Sequence, residues 1–177
     1  ALPLIQVDDP GDIIPGQPNL PGARCALDSL ELACGLARQG MASGLVTGPV
    51  AKSQLAAIGF AYPGQTEFVA ERCGVAAGNA VMMLAGPTLR TVPLTVHVPL
   101  AAVPRLLSID LIVARARITA RGLIRDFGIE SPRLAIAGLN PHAGESGTLG
   151  REEIEIIRPA IDLLREEGIN VILSLIH

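Results

Sequence analysis

Three histidines occur in the 177 residues, and two of them, His97 and His142, stand just past apolar runs that read as strands. Two imidazoles from neighbouring strand ends can share a divalent metal, with a further ligand and substrate oxygens completing the shell. The stretch RLAIAGLNPHAGESG, residues 133–147, runs apolar to Leu139 and then delivers Asn140, Pro141, His142, Gly144 and Glu145. No HExxH-like pair accompanies either histidine, so spacing alone leaves each readable as an ordinary hydrogen-bonded or surface side chain.

Two further stretches suit an anion. TGPVAK, residues 47–52, offers a tight Gly-Pro turn, the Thr47 hydroxyl and the Lys52 cation at a helix start. It lacks the GxxxxGK[ST] spacing of a P-loop, and a plain strand-to-helix turn explains it equally well. GQTEF, residues 64–68, places Thr66 at a helix N-terminus, where its hydroxyl would cap free N–H groups or meet a phosphate. Glu152 and Glu153 open another helix and complement its dipole. No GxGxxG follows a strand, which leaves a Rossmann dinucleotide site unsupported. Cys25, Cys34 and Cys73 form no CxxC pair, and their spacing argues against a disulfide framework.

The elements that must position these groups follow from periodicity. Helices are predicted over 23–39 (Leu27, Leu30, Cys34 and Ala37 inward), 50–58 and 66–73. Two longer ones cover 109–128, with Leu111, Ala114, Ile118 and Ile124 on or near one face, and 150–168, with Ile154, Ile157, Ile161 and Leu164 as its stripe. Pro159 is expected to kink the last of these. SGLVTGP, AVMMLAG, RTVPLTVHVPL (ending near His97), RLAIAGL and INVILSLIH read as strands. The alternation predicts an α/β fold: a largely parallel sheet with helices on both faces, and ligands gathering beyond the carboxyl ends of its strands.

Composition agrees with a packed α/β domain. Hydrophobic residues make up 49% and charged residues 18%, while aromatics are only 2%, which predicts an aliphatic core. Net charge is −3, with no basic cluster and few stacking rings, so nucleic acid is disfavoured as a partner. No apolar run reaches membrane-spanning length and no signal peptide opens the chain, which makes a cytoplasmic location the expectation.

LVTGPVAK, PGQTEF, VMMLAG, LTVHVPL and above all GLNPHAGESGTLGREE occur in the order seen in the 4-hydroxythreonine-4-phosphate dehydrogenase family, which the chain resembles over about residues 23–171. The resemblance implies a homodimeric enzyme of pyridoxal phosphate biosynthesis with α/β/α layers like those of isocitrate and isopropylmalate dehydrogenases. Its cofactors would be NAD and a divalent metal (zinc, magnesium or cobalt). Its reaction would oxidise and decarboxylate 4-phosphohydroxy-L-threonine to 3-amino-2-oxopropyl phosphate. His97 and His142 match two of the family's three metal-binding histidines; His177 lies outside any matching context. Thr66 matches the phosphate-binding GHTEF loop directly, and Gln65 replaces its histidine, keeping a hydrogen-bond donor without a charge. Residues that take part in the chemical step or bind NAD are not assigned by the resemblance.

Because the family's GDPAGIGPE-like, YHDQG-like and DHGTA-like segments have no match, residues 1–177 are expected to be an internal fragment of a longer two-domain dehydrogenase, inactive alone. Residues 172–177 read as a foreign tail. The alternatives are a related dehydrogenase acting on a four-carbon sugar-acid phosphate or a dihydrodiol, and a phosphate-binding acyltransferase of related fold.

Overall fold

In the computed structural model, residues 4–7 and 11–175 are described, apart from the side chain of Ala77, and the chain divides into two compact units, residues 1–80 and 81–177. His177 and the end of the expected foreign tail lie outside the described residues. The fold is mixed α/β, and its sheets are small: one antiparallel pair and one parallel pair among the described residues. The broad, doubly covered sheet predicted from the alternation is not assembled among the described residues.

The first unit is helical. Helix α1 (Leu20–Arg38) starts three residues earlier than predicted, because Asn19 caps it: its Oδ1 accepts the Gly22 N–H at 2.8 Å, with proline just inside the start. Two short helices follow, α2 (Lys52–Ala57) and α3 (Gln65–Arg72). Their core joins Leu30 and Cys34 of α1 to Phe68 of α3, with Leu27, Leu45, Phe60 and Tyr62 packed around it. The aliphatic core expected from composition therefore holds an aromatic centre here. SGLVTGP forms no strand: Leu45 turns inward, but Val46 is 97% exposed and no neighbouring strand pairs with either among the described residues. A short apolar run without a ladder partner stays extended chain.

Arg72 ties α3 to α1. Its guanidinium donates to both carboxylate oxygens of Glu31, the shortest contact being 2.6 Å, and lies 4.5 Å from the Phe68 ring centroid. The hydrogen bonds from Arg72 hold the Glu31 carboxyl below its ordinary value of 4.5. A carboxyl depressed in the folded state adds stability above that ordinary value and loses it as pH falls through the lower folded value. Thermal melts taken downward from about pH 5 should therefore show Tm falling, and Glu31→Gln should flatten that slope. The pair is partly solvated, so at neutral pH the variant should lose no more than about 1 kcal/mol.

The second unit begins with a hairpin, β1 (Leu84–Ala85) against β2 (Arg90–Thr91), paired Leu84↔Thr91 and Ala85↔Arg90. The two strands predicted here are thus cut to two residues each. Pro93 and Pro99 carry no N–H for a ladder, and pairing ends at Thr91. After the short helix α4 (Val103–Leu106), Ser108 caps the long helix α5 (Ile109–Phe127), which ends on Gly128 at φ 65°. The inward residues of α5 are Ile112, Val113, Ala116, Ala120 and Leu123, not the face centred on Leu111, Ala114, Ile118 and Ile124.

Strand β3 (Leu134–Ala137) follows, then the Asn140–Gly150 loop, a wide π turn over Glu153–Ile157, helix α6 (Arg158–Glu166) and strand β4 (Val171–Ser174). Strands β3 and β4 are parallel, in register Leu134↔Val171 through Ala137↔Ser174. Residues 172–174 are thus part of the ladder. Ile112, Val113, Ile157, Ala160, Ile161, Leu164 and Val171 close an aliphatic core between α5, α6 and this pair. The predicted disturbance at Pro159 takes the form of the π turn, in which the Arg158 N–H bonds the Glu153 carbonyl one residue further back than in an α-helix.

Candidate functional site

The loop carrying His142 leaves the carboxyl end of β3, where parallel α/β units place ligands. Its backbone is left-handed over four consecutive residues: Ala143 (φ 51°), Gly144 (68°), Glu145 (42°) and Ser146 (58°). Three of these carry a Cβ, and a left-handed conformation costs such residues about 1–2 kcal/mol each. The fourth and last non-glycine residue with positive φ among the described residues is His97, at 56°. Among the described residues, all the non-glycine backbone strain of this kind therefore falls at the two histidine loops. Strain is held where the surrounding structure over-determines it, and such positions cluster at functional sites.

Asn140 organises the turn. Its Oδ1 accepts the His142 N–H at 2.9 Å, and its carbonyl accepts the Ala143 N–H at 2.8 Å. The His142 side chain is 69% exposed, with Nδ1 3.6 Å from Glu145 Oε1, too far for a hydrogen bond. His97 is also exposed, but it lies in irregular chain six residues past β2 rather than at a strand end. Among the described residues, no three His, Cys, Asp or Glu side chains gather as a metal-holding group. The residues present fit a divalent metal in donor type: two solvent-facing imidazoles, each on a constrained backbone.

Beneath the loop lies Glu153, the one buried charged side chain among the described residues, 1% exposed. Its Oε1 accepts the Asn140 N–H at 3.0 Å, while Oε2 is buried without a hydrogen-bond partner. Helical spacing places Glu153 at the dipole end and Ile154 in the apolar stripe. The structure reverses them, with Ile154 37% exposed. The signal was present, since Glu153, Ile157 and Ile161 recur at i, i+4, i+8.

In the first unit, Gly64 rather than Thr66 is the N-cap of α3, and no side chain caps it. Thr66 is exposed inside the first turn. Gln65 donates from Nε2 to the Gly48 carbonyl at 3.2 Å, which joins the two anion-suited stretches. Both line a cavity of about 370 Å³ with Thr47, Pro49, Leu27 and Phe60. Lys52 Nζ stands 4.0 Å from where a Cβ on Gly64 would lie, so the cation reaches the start of α3. The three cysteines are free, with Cys34 buried and its thiol pushed up chiefly by burial. No helix is long and apolar enough to cross a membrane among the described residues.

The family model for "Pyridoxal phosphate biosynthetic protein PdxA" matches residues 1–175. The chain belongs to this family. It is 60% identical to the 4-hydroxythreonine-4-phosphate dehydrogenase of Erythrobacter litoralis over 96% of its own length and 50% of that enzyme. Its identity to the Zymomonas mobilis enzyme of the same name is 56%, over 97% of this chain and 51% of the relative. The crystal structure of 4-hydroxythreonine-4-phosphate dehydrogenase from Klebsiella pneumoniae superposes with a TM-score of 0.82 at 32% identity, covering 90% of this chain and 47% of that one. The chain thus spans about half the length of the curated PdxA-family relatives it matches.

Proposed function

We propose that these residues are an internal portion of a two-domain 4-hydroxythreonine-4-phosphate dehydrogenase, with α/β/α layers completed by segments outside this chain. The proposed enzyme is homodimeric, NAD-dependent and metal-dependent. It oxidises the C3 hydroxyl of 4-phosphohydroxy-L-threonine, and loss of carbon dioxide gives 3-amino-2-oxopropyl phosphate. The observation that carries this reading is the confinement, among the described residues, of left-handed non-glycine backbone to His97 and the turn after His142.

His97 and His142 would hold the metal through neutral imidazole nitrogens. A divalent ion there supplies positive charge to the substrate oxygens, and NAD supplies the hydride acceptor. Gln65 and Thr66 would bind the phosphate within their own unit. The start of α3 has no side-chain cap, and the Lys52 cation is close by. Because Gln65 brings no charge, its contact discriminates by hydrogen-bond geometry. Membership of the PdxA family favours this dehydrogenase over the acyltransferase alternative.

The test uses full-length protein with 4-phosphohydroxy-L-threonine, NAD and a divalent ion. NAD reduction is expected, with loss of turnover both on adding EDTA and in His142→Ala. Turnover that survives both treatments would refute the metal role.

A further inference from the structure

Glu153 is buried and so adds nothing to the solvated surface, and an apolar residue at its position would extend the core stripe of Ile157 and Ile161. A buried carboxylate with one oxygen unsatisfied is costly to keep. What it touches is the underside of the His142 loop. A Cβ on Gly138 would stand 3.3 Å from its Oε1, and one on Gly144 would stand 3.3 Å from its Oε2. Both neighbours are glycine, which lets the loop backbone close over the carboxylate.

From Glu153 a two-step relay reaches the histidine. Oε1 accepts the Asn140 N–H, and the Asn140 side chain in turn accepts the His142 N–H. We propose that Glu153 is a positioning residue: it anchors Asn140, and through Asn140 it fixes the backbone from which His142 presents its ring to a divalent cation. This rests on the metal role of His142 proposed above. Partners outside the ligand shell commonly set metal affinity by about 10–100-fold.

The experiment is cobalt(II) titration of full-length protein without NAD or substrate, read by the visible absorption of the bound ion. Glu153→Ala is expected to weaken cobalt binding by about 10-fold or more. Glu153→Gln keeps one carbonyl acceptor for the Asn140 N–H and should stay within about 3-fold of wild type. Asn140→Ala cuts the second step and should match Glu153→Ala, with the double variant no weaker than the worse single one, as links of one chain require. Ile161→Val, destabilising but outside the relay, should leave cobalt affinity unchanged.

Wild-type affinity in Glu153→Ala, or in Asn140→Ala should Glu153→Ala fail to fold, would overturn the proposal. So would additive losses in the double variant, or a Gln variant as weak as the Ala variant. If wild-type protein shows no cobalt binding that His142→Ala removes, the metal role itself fails first, a result distinct from all of these.

Discussion

Gly144→Ala is expected to abolish the geometry of the His142 loop while leaving the rest of the second unit folded. Two effects add at this position. Its φ of 68° costs any residue with a Cβ about 1–2 kcal/mol. More decisively, the new Cβ would lie 2.4 Å from the Gly150 carbonyl oxygen, a backbone atom that cannot swing aside as a side chain could. The loop must open, and the Leu149 N–H bond to the Gly144 carbonyl, now 2.9 Å, goes with it. If His142 holds the metal as proposed, a displacement of about 1 Å can cost on the order of 100-fold in rate, so turnover of the full-length protein should fall by at least that much.

Gly128→Ala separates strain from collision. Gly128 has nearly the same φ, 65°, but a Cβ there meets nothing within 4 Å. That variant should lose about 1 kcal/mol of stability and keep its metal affinity and turnover. Equal activity in the two variants would show that Gly150 yields and that the loop is not tightly specified.

The His142 loop was legible in the sequence because its residue types are individually informative: an Asx residue, a proline and two glycines in a row of a few positions. The carboxylate beneath it was not, for a reason specific to helix starts. Glu152 and Glu153 both satisfy the dipole argument, and only the count of four to Ile157 and eight to Ile161 separates the buried acid from its half-buried neighbour. Helix α5 was misread in a similar way. Its first turns are apolar nearly all round, so several faces satisfy helical spacing; the wet stripe of Arg117, Arg121 and Arg125 is what fixes the opposite, inward face on Ile112, Ala116, Ala120 and Leu123.

Strands were the least legible elements. A helix closes its hydrogen bonds locally, whereas a strand needs a neighbour, and sequence pattern says nothing about which neighbours are at hand. RLAIAGL and INVILSLIH found each other across α6. SGLVTGP and residues 92–96 have the right composition but no ladder among the described residues. TGPVAK does lead into a short helix and GQTEF does open one, as the pattern predicts, yet the Gln65 bond to Gly48 that joins them depends on packing no local pattern encodes.

Phe68→Ala is expected to be the most destabilising single change in the first unit, at about 3–5 kcal/mol. The chain has three phenylalanines, one tyrosine and no tryptophan, and three of those four rings meet here. Phe68 is 1% exposed, with Phe60 and Tyr62 ring centroids at 5.4 and 5.3 Å and the Arg72 guanidinium over its face. Truncation leaves a cavity that Leu30 and Cys34 on the rigid helix α1 cannot fill, and the aromatic and cation–π contacts vanish with it. Phe68→Leu keeps most of the apolar volume and should cost less than half as much, which isolates the ring contacts from simple burial. Urea unfolding with a probe in the first unit gives both values. Because Phe68 is also the side chain that clamps α3 to α1, hydrogen exchange at Gln65, Thr66 and Glu67 should quicken in the Ala variant well before global unfolding. Unchanged exchange there would mean that the start of α3, where phosphate is proposed to bind, is held by the Gln65–Gly48 bond and the Arg72–Glu31 pair rather than by the aromatic cluster.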